Sequence, residues 1–192
     1  MAKKSQSPAP EGFRYQADVL SLEEEHALVE RVSALPLKEF EFHGYIGKRR
    51  TISFGWHYDF GDSRLKQAQE MPEFLLPVRA RAASFAGLTA DDLPHVLVTE
   101  YGPGAAIGWH RDKGVFDEVV GISLLSPCNF RFRRKQGAAW ERYSLTVEPR
   151  SAYLLSGESR TLWEHSIPGV DTLRYSITFR SLRSVPRRIQ SS

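Results

Sequence analysis

Short segments in which apolar and polar residues alternate make up most of the chain after about Leu93. They are rich in β-branched and aromatic residues and are separated by turn residues, as in "HVLVTEYG", "VVGISLLS", "CNFRFRRK", "RYSLTVEP", "SAYLLSG" and "LRYSITFR". Many short strands at this spacing are typical of an antiparallel sandwich, jelly roll or barrel. The second half of the chain is therefore predicted to be all β.

Two segments of the first half follow a helical period instead. In "SLEEEHALVERVSAL", Ser21 is the predicted N-cap, Glu24 completes a capping box, and Leu28 and Val32 lie on one apolar face. A second helix is predicted within "PEFLLPVRARAASFAG", and it starts or kinks at Pro77. The pattern thus indicates two helices ahead of the β-rich part.

The stretch "RYSITFR" has two different faces when it is read as a strand, because successive side chains point to opposite sides. One face is apolar, and the other carries Arg174, Ser176, Thr178 and Arg180. The pattern alone leaves two interpretations open. Either this is a surface strand whose polar face meets water, or its polar face binds a ligand.

Length and composition limit the classes of protein. A chain of 192 residues with 41% hydrophobic content is long enough for one domain and short for two. We expect a disordered tail over residues 1–12, a single domain over 13–184 and a basic tail over 185–192. The sequence has no run of about 20 apolar residues and no secretory signal, so a cytoplasmic protein without a membrane span is expected. The lone Cys128 excludes an internal disulfide framework and a Cys-rich zinc site.

Positive residues are clustered, although the formal net charge is only +3. The clusters are "GKRR", "RFRRK" and "RSLRSVPRR". In "NFRFRRK", Phe130 and Phe132 are predicted to face inward and Arg131 and Arg133 outward, which makes a charged stripe. Such patches attract phosphate backbones, and they also occur as ordinary solvated charges.

The segment "GWHRDKG" places His110 and Asp112 two residues apart. In an extended chain that spacing aims both side chains at the same side, so both can bind one ion. His165 in "WEHSIPG" is the candidate third ligand. Two histidines and one carboxylate form the facial triad that holds non-haem Fe(II) and leaves positions open for a cosubstrate and dioxygen.

These residues, taken in order, resemble the AlkB-type branch of the Fe(II)- and 2-oxoglutarate-dependent dioxygenases. The resemblance covers about residues 96–183 and extends weakly to residues 50–60. It rests on "EYGPGAAIGWHRD", on His165 and on the two arginines of "RYSITFR", whose spacing is the family's. It implies an α+β, mainly β fold, in which the N-terminal helices pack on a double-stranded β-helix, or jelly roll.

The resemblance also implies cofactors and ligand roles. The metal is Fe(II), held by His110, Asp112 and His165; 2-oxoglutarate is the cosubstrate and O2 the oxidant. The cosubstrate contacts are Arg174 at the distal carboxylate, Tyr101 beside it, Arg180 near the end that chelates iron, and Thr99 and Ser176 between them.

Three positions depart from the family pattern. Thr99 and Ser176 stand where the best-known members carry asparagines, so we expect shorter or water-mediated hydrogen bonds to the cosubstrate. Gly114 stands where several base-repair members carry an acidic residue, so one contact to the base edge is missing.

The substrate lid of the family corresponds to "GYIGKRRTISFGWHYDF". The resemblance implies that Tyr58 and Phe60 stack on an extruded base and that Arg50 belongs to the same pattern. Core aromatic residues beneath a loop would have the same spacing. The basic stripe is expected to hold a single strand beside the pocket through Arg131, Arg133 and Arg134.

The function implied by the resemblance is oxidative dealkylation of bases in nucleic acid, that is, repair or demethylation of alkylated DNA or RNA. Single-stranded or locally opened alkylated DNA or RNA is the expected partner, and a monomer is expected. Two alternatives stay open. One is a 2-oxoglutarate-dependent hydroxylase or demethylase of a protein or small metabolite, and the other is a jelly-roll module that binds a ligand without catalysis.

Overall fold

The structure is a computed structural model that describes residues 8–42, 45–59, 64–67 and 69–183. Residues 1–7 of the predicted N-terminal tail, the predicted basic tail over 185–192, and Phe60 of the predicted lid lie outside the described residues. Residues 10–12 of the predicted tail lie against the domain. The Gly12 carbonyl accepts hydrogen bonds from the backbone N–H of Ser156 at 3.2 Å and from its hydroxyl at 2.9 Å.

Antiparallel strands are the main elements of the described structure. In chain order they are β1 (Phe13–Gln16), β2 (Lys38–Phe42), β3 (Tyr45–Phe54), β4 (Trp56–Asp59), β5 (Arg64–Gln67), β6 (His95–Tyr101), β7 (Ile107–His110), β8 (Phe116–Leu124), β9 (Cys128–Gln136), β10 (Ala139–Val147), β11 (Ser151–Leu155), β12 (Glu164–Ile167) and β13 (Arg174–Leu182). The six strands predicted from alternation correspond to β6, β8, β9, β10, β11 and β13, and all six are present.

The strands form two main sheets and a separate hairpin. The large sheet has the order β1-β11-β8-β13-β6-β3-β2, the small sheet has the order β10-β9-β12-β7, and β4 pairs with β5. Apart from the hairpins β2–β3 and β9–β10, neighbouring strands of the two main sheets come from distant parts of the sequence, as in a jelly roll. The predicted fold class, mainly β with a few helices, is confirmed.

Three α-helices accompany the sheets in the described part of the chain: α1 (Leu22–Ser33), α2 (Leu76–Ala86) and α3 (Gly157–Thr161). The predicted capping box of α1 is confirmed, because the Ser21 hydroxyl accepts from the Glu24 N–H at 3.1 Å and the Glu24 carboxylate accepts from the Ser21 N–H at 2.7 Å. Pro77 lies in the first turn of α2, where its missing N–H costs no helical hydrogen bond.

Hydrophobic cores lie on both faces of the large sheet. On one face, α1 and α2 pack against Val98, Ile177 and Phe179; on the other, Tyr101 and Tyr153 meet residues of the small sheet. Residues Arg174–Ser181 of β13 are therefore all buried. The interpretation of "RYSITFR" as a surface strand is wrong, because its polar face points into the space between the sheets.

None of the helices within the described residues combines the length and the apolar character that a membrane span requires.

Candidate active site

Two histidines and an aspartate meet at the inner face of the small sheet. His110 ends β7 and pairs in register with His165 of β12, which brings their ring centroids to 4.2 Å. Asp112 follows β7, and its Oδ2 lies 3.5 Å from Nε2 of His165. One ligand atom of each residue lies within 4.8 Å of the other two. The three residues that the sequence selects could therefore bind a single metal ion.

Both histidines can present a ring nitrogen to a metal. Nδ1 of His110 lies 2.8 Å from the Gly108 carbonyl, which can only accept, so Nδ1 donates this hydrogen bond and Nε2 is the ring nitrogen left for a metal. Burial lowers the pKa of His165 to about 3. His165 is consequently neutral at physiological pH, and its contact with Asp112 is not an ion pair.

Arg180 orients the carboxylate of Asp112. Its Nε and Nη2 donate to Oδ1 of Asp112 at 2.9 Å and 2.7 Å, and Oδ2 faces His165. Burial, the largest single influence, would raise the pKa of this carboxyl, but the positive charge of Arg180, its hydrogen bonds and the two neighbouring histidines together hold the pKa well below its ordinary range. The cluster therefore offers two imidazoles and one carboxylate, a donor set that suits non-haem Fe(II).

A buried arginine that the sequence analysis does not single out holds the loop after Asp112. Nη2 of Arg160 donates to the carbonyls of Lys113 and Phe116, the second at 2.8 Å, and the residue is only 4% exposed. Arg160 lies in α3, shortly before His165. It thus ties the segment that carries the carboxylate to the segment that precedes the second histidine.

Arg174 is completely buried between the two sheets. Its Nε donates to Ser123 at 3.2 Å, and its guanidinium lies 5.0 Å from the ring centroid of Tyr101, its register partner on β6. Among the described residues, neither Nη1 nor Nη2 of Arg174 has a hydrogen-bond partner. A buried guanidinium without a counter-charge is costly, and a carboxylate with two oxygens would satisfy both nitrogens. This side chain therefore fits one end of a dicarboxylate.

Hydroxyl side chains line the sheet beside the two arginines. Ser176 pairs with Thr99 on one side and with Ser123 on the other, and Thr51 of β3 pairs with Thr99. Paired residues point to the same face, so these four hydroxyls form a row across β3, β6, β13 and β8. Ser123 is missing from the sequence prediction, although alternation in β8 places it on this face.

Arg50 is the predicted lid residue whose side chain the structure describes. Arg50 of β3 donates from Nε and Nη2 to Glu100, both at 2.7 Å, and Tyr175 donates to the same carboxylate at 2.9 Å. Tyr175 packs against the helices, so Arg50 lies on the helix-covered face of the large sheet, away from the histidines and the aspartate. Tyr58 lies in the β4–β5 hairpin, and its side chain is outside the described part of the chain.

The three arginines of the basic stripe occupy two different faces of the small sheet. Phe130 and Phe132 are 1% and 0% exposed, as predicted, and Arg131 and Arg133 lie on the outer face. Arg134 has the same parity as Phe132 and lies on the inner side, where Glu141 and Glu158 accept its hydrogen bonds, each at 2.7 Å. Two carboxylates thus neutralise Arg134.

The chain matches the 2OG-Fe(II) oxygenase superfamily over residues 12–180, and it belongs to that superfamily. Within it, the chain is of the AlkB type, as the motifs predict. It is 29% identical over 166 residues to the alkylated DNA repair protein ALKBH8 homolog of Arabidopsis thaliana, covering 73% of this chain and 48% of that protein. It is 25% identical over 179 residues to the tRNA (carboxymethyluridine(34)-5-O)-methyltransferase ALKBH8 of Mus musculus, covering 89% of this chain and 26% of that protein.

The fold has a solved counterpart in the structure of OsALKBH1. The two superpose with a TM-score of 0.70 at 17% sequence identity, over 92% of this chain and 99% of the other. The described chain spans about half of the Arabidopsis relative and about a quarter of the mouse relative. The predicted dioxygenase class is confirmed, and the superfamily implies Fe(II) and 2-oxoglutarate.

Proposed function

We propose that this dioxygenase oxidatively removes alkyl groups from bases in nucleic acid. The observation that carries the proposal is the fully buried Arg174, whose terminal nitrogens lack partners among the described residues, in the same intersheet space as the histidine–aspartate cluster. That combination suits a dicarboxylate cosubstrate and a metal side by side, and the nucleic-acid names of the relatives favour a nucleobase as the substrate.

The metal ligands in this proposal are His110, Asp112 and His165. The hydrogen bond to Gly108 fixes the tautomer of His110, burial keeps His165 neutral, and Arg180 keeps Asp112 ionised. Phe130 stacks on His165 with an interplanar angle of 11° and a centroid distance of 5.4 Å, which restrains the orientation of the imidazole. These contacts hold the donor set ready before any ligand arrives.

The cosubstrate contacts are Arg174 for the distal carboxylate and Tyr101 beside it. Thr99, Ser176 and Ser123 provide short hydroxyl arms along the middle of the binding site, and Arg180 marks the end near the metal ligands. Because hydroxyls replace the longer asparagines of better-known members, we expect ordered water to complete some of the hydrogen bonds to 2-oxoglutarate.

Fe(II), when bound, would activate O2, which is the oxidant, and 2-oxoglutarate would be converted to succinate and CO2. One oxygen atom enters the alkyl carbon attached to a base nitrogen, and the resulting hemiaminal breaks its C–N bond to release an aldehyde and the unmodified base. The chain's own residues bind and orient the reactants. The buried walls of the intersheet space exclude bulk water from them.

A panel of alkylated oligonucleotides tests the proposal. Single strands of DNA and RNA carrying 1-methyladenine, 3-methylcytosine or an etheno adduct should stimulate succinate release above the level seen with unmodified strands. Single strands should be preferred, because extruding a base from a duplex costs a few kcal/mol. If no modified strand increases turnover of 2-oxoglutarate, the nucleic-acid assignment is wrong.

A protein or small-metabolite hydroxylase is the second candidate, and Gly114 is the observation that favours it. Gly114 has no side chain with which to read a base edge, and among the described residues beyond its chain neighbours no atom lies within 4 Å of where a Cβ would stand. A methylated peptide or metabolite that stimulates succinate release, where every modified strand fails, would establish this alternative.

A further inference from the structure

We propose that single-stranded nucleic acid lies across the outer face of the small sheet and stacks on a tryptophan–arginine stack formed by Trp109, Arg131, Arg133 and Trp140. This inference rests on the proposed function and extends it from the pocket to a surface. Trp109 and Trp140 take no part in the predicted chemistry. The stack lies on the face of the small sheet opposite the proposed metal ligands.

The side chains of the tryptophan–arginine stack alternate between rings and guanidinium groups. Cζ of Arg133 lies 4.5 Å from the ring centroid of Trp109 and 4.5 Å from that of Trp140. Cζ of Arg131 lies 5.0 Å from the centroid of Trp109. Trp140 ends the stack and is 42% exposed, so part of its indole remains available to a further flat ring. A nucleobase would continue such a stack.

The two arginines of the stack keep their terminal nitrogens available. Nε of Arg133 donates to Glu164 at 2.6 Å, and Nε of Arg131 donates to Ser166 at 3.1 Å. Within the described residues, these are the hydrogen bonds that the two side chains make. They fix the guanidinium planes against the rings and leave the Nη atoms for phosphate oxygens.

The charge of the outer face suits a polyanion. Lys135 continues the stripe on β9, and Arg142 of β10 lies directly opposite Arg133. Like charges opposite each other across two strands are unfavourable until an anion lies over them. In the four strands as described, Glu164 is the acidic residue on this face, against four cations.

The stack is also adjacent in sequence to the histidines of the proposed metal site. Trp109 immediately precedes His110, and Glu164 and Ser166 flank His165, so alternation places the stack and the ligands on opposite faces of the same strands. Strand β7 is an edge of the small sheet. A strand of nucleic acid that crosses from β10 to β7 therefore arrives at the edge beside His110.

Anisotropy of fluorescent 12-mers of unmodified oligo(dT) and oligo(U), measured on the whole protein, tests this surface without turnover. Trp140→Ala should weaken binding by about 5- to 150-fold, the range for loss of one base–aromatic stack, and Trp140→Phe should retain most of the affinity. The exposed Leu22→Ala on α1 is the control for loss of a surface apolar side chain.

The same titration at several salt concentrations tests the charges. Lys135→Ala combined with Arg142→Ala should reduce the slope of log Kd against log salt by about 1.4, because each lost phosphate contact on a single strand accounts for about 0.7. Arg31→Ala together with Arg79→Ala, on the two N-terminal helices, removes the same charge elsewhere and should leave the slope unchanged.

The surface is refuted if Trp140→Ala and the double variant bind with the affinity and salt slope of the wild type, or if polyglutamate competes as well as oligo(dT). The outcome is independent of the catalytic proposal. Binding that depends on Trp140 without stimulation by any alkylated strand would leave the surface standing and overturn the proposed substrate. If alkylated strands stimulate turnover equally in the wild type, in Trp140→Ala and in the double variant, the proposed substrate stands and the proposed surface is wrong.

Discussion

The variant Arg174→Lys tests whether Arg174 binds the cosubstrate or only stabilises the fold. Lysine keeps the positive charge but cannot present two parallel N–H groups to a carboxylate. Losing one charge-assisted hydrogen bond costs about 1.5–3 kcal/mol, so the KM for 2-oxoglutarate should rise by about 10- to 150-fold. The terminal nitrogens of Arg174 lack partners among the described residues, so the ligand-free protein should lose only the hydrogen bond from Nε to Ser123, about 0.5–1.5 kcal/mol.

Succinate release and thermal unfolding measure the two effects separately. With Mn(II) in place of Fe(II), 2-oxoglutarate at a hundred times its Kd should raise the Tm of the wild type by about 5–10 °C. The rise should fall to half or less in Arg174→Lys. Arg81→Lys is the matched control, because Arg81 makes a forked pair with Glu24 on the helices, at 2.6 Å and 2.8 Å. An unchanged KM together with a lower ligand-free Tm in Arg174→Lys would refute the reasoning.

Further predictions concern the metal ligands, the loop and acid stability. Asp112→Ala and His165→Ala should each abolish Fe(II)-dependent succinate production under limiting iron, and wild-type-like production by either would contradict the ligand assignment. Arg160→Leu removes the hydrogen bonds from Nη2 to the carbonyls of Lys113 and Phe116, so it should lower the Tm and weaken Co(II) binding in a spectroscopic titration; unchanged Co(II) affinity would show that it does not position the ligands. Hydrogen bonds from Arg50 lower the pKa of Glu100 below its ordinary 4.5, so the pair stabilises the fold above that pH and this contribution is lost as the pH falls below it. Glu100→Gln should therefore flatten the acid side of the stability curve, and an unaltered curve would count against this.

Alternation along β13 and β9 carries most of what the sequence predicts correctly. In β13 the period of two puts Arg174 and Arg180 on one face, and the structure adds that both faces are buried. In β9 the same period places Arg134 with Phe132, so its inward position, between Glu141 and Glu158, follows from the pattern even though its neighbours suggest a continuous basic stripe. The strand period is informative because each face meets a different environment.

The remaining features depend on tertiary contacts that leave no local pattern. Strands β7 and β12 have four residues each, too few for a period to stand out, although they carry His110 and His165. The role of Arg160 depends on the loop carbonyls that it reaches across the fold, 44 and 47 residues away along the chain. The pairing of Arg50 with Glu100 brings together residues 50 positions apart, and the lid pattern of the first strands does not anticipate it.

The coupling between cosubstrate and substrate oxidation tests the central claim most directly. The measurement is the ratio of succinate to aldehyde released by the purified protein with Fe(II), 2-oxoglutarate and a single strand carrying 1-methyladenine or 3-methylcytosine. We predict a ratio near one, as the stoichiometry of the reaction requires, with the unmodified base recovered and no aldehyde from Asp112→Ala. Succinate release that is the same with modified and unmodified strands, without aldehyde from any of them, would contradict the account.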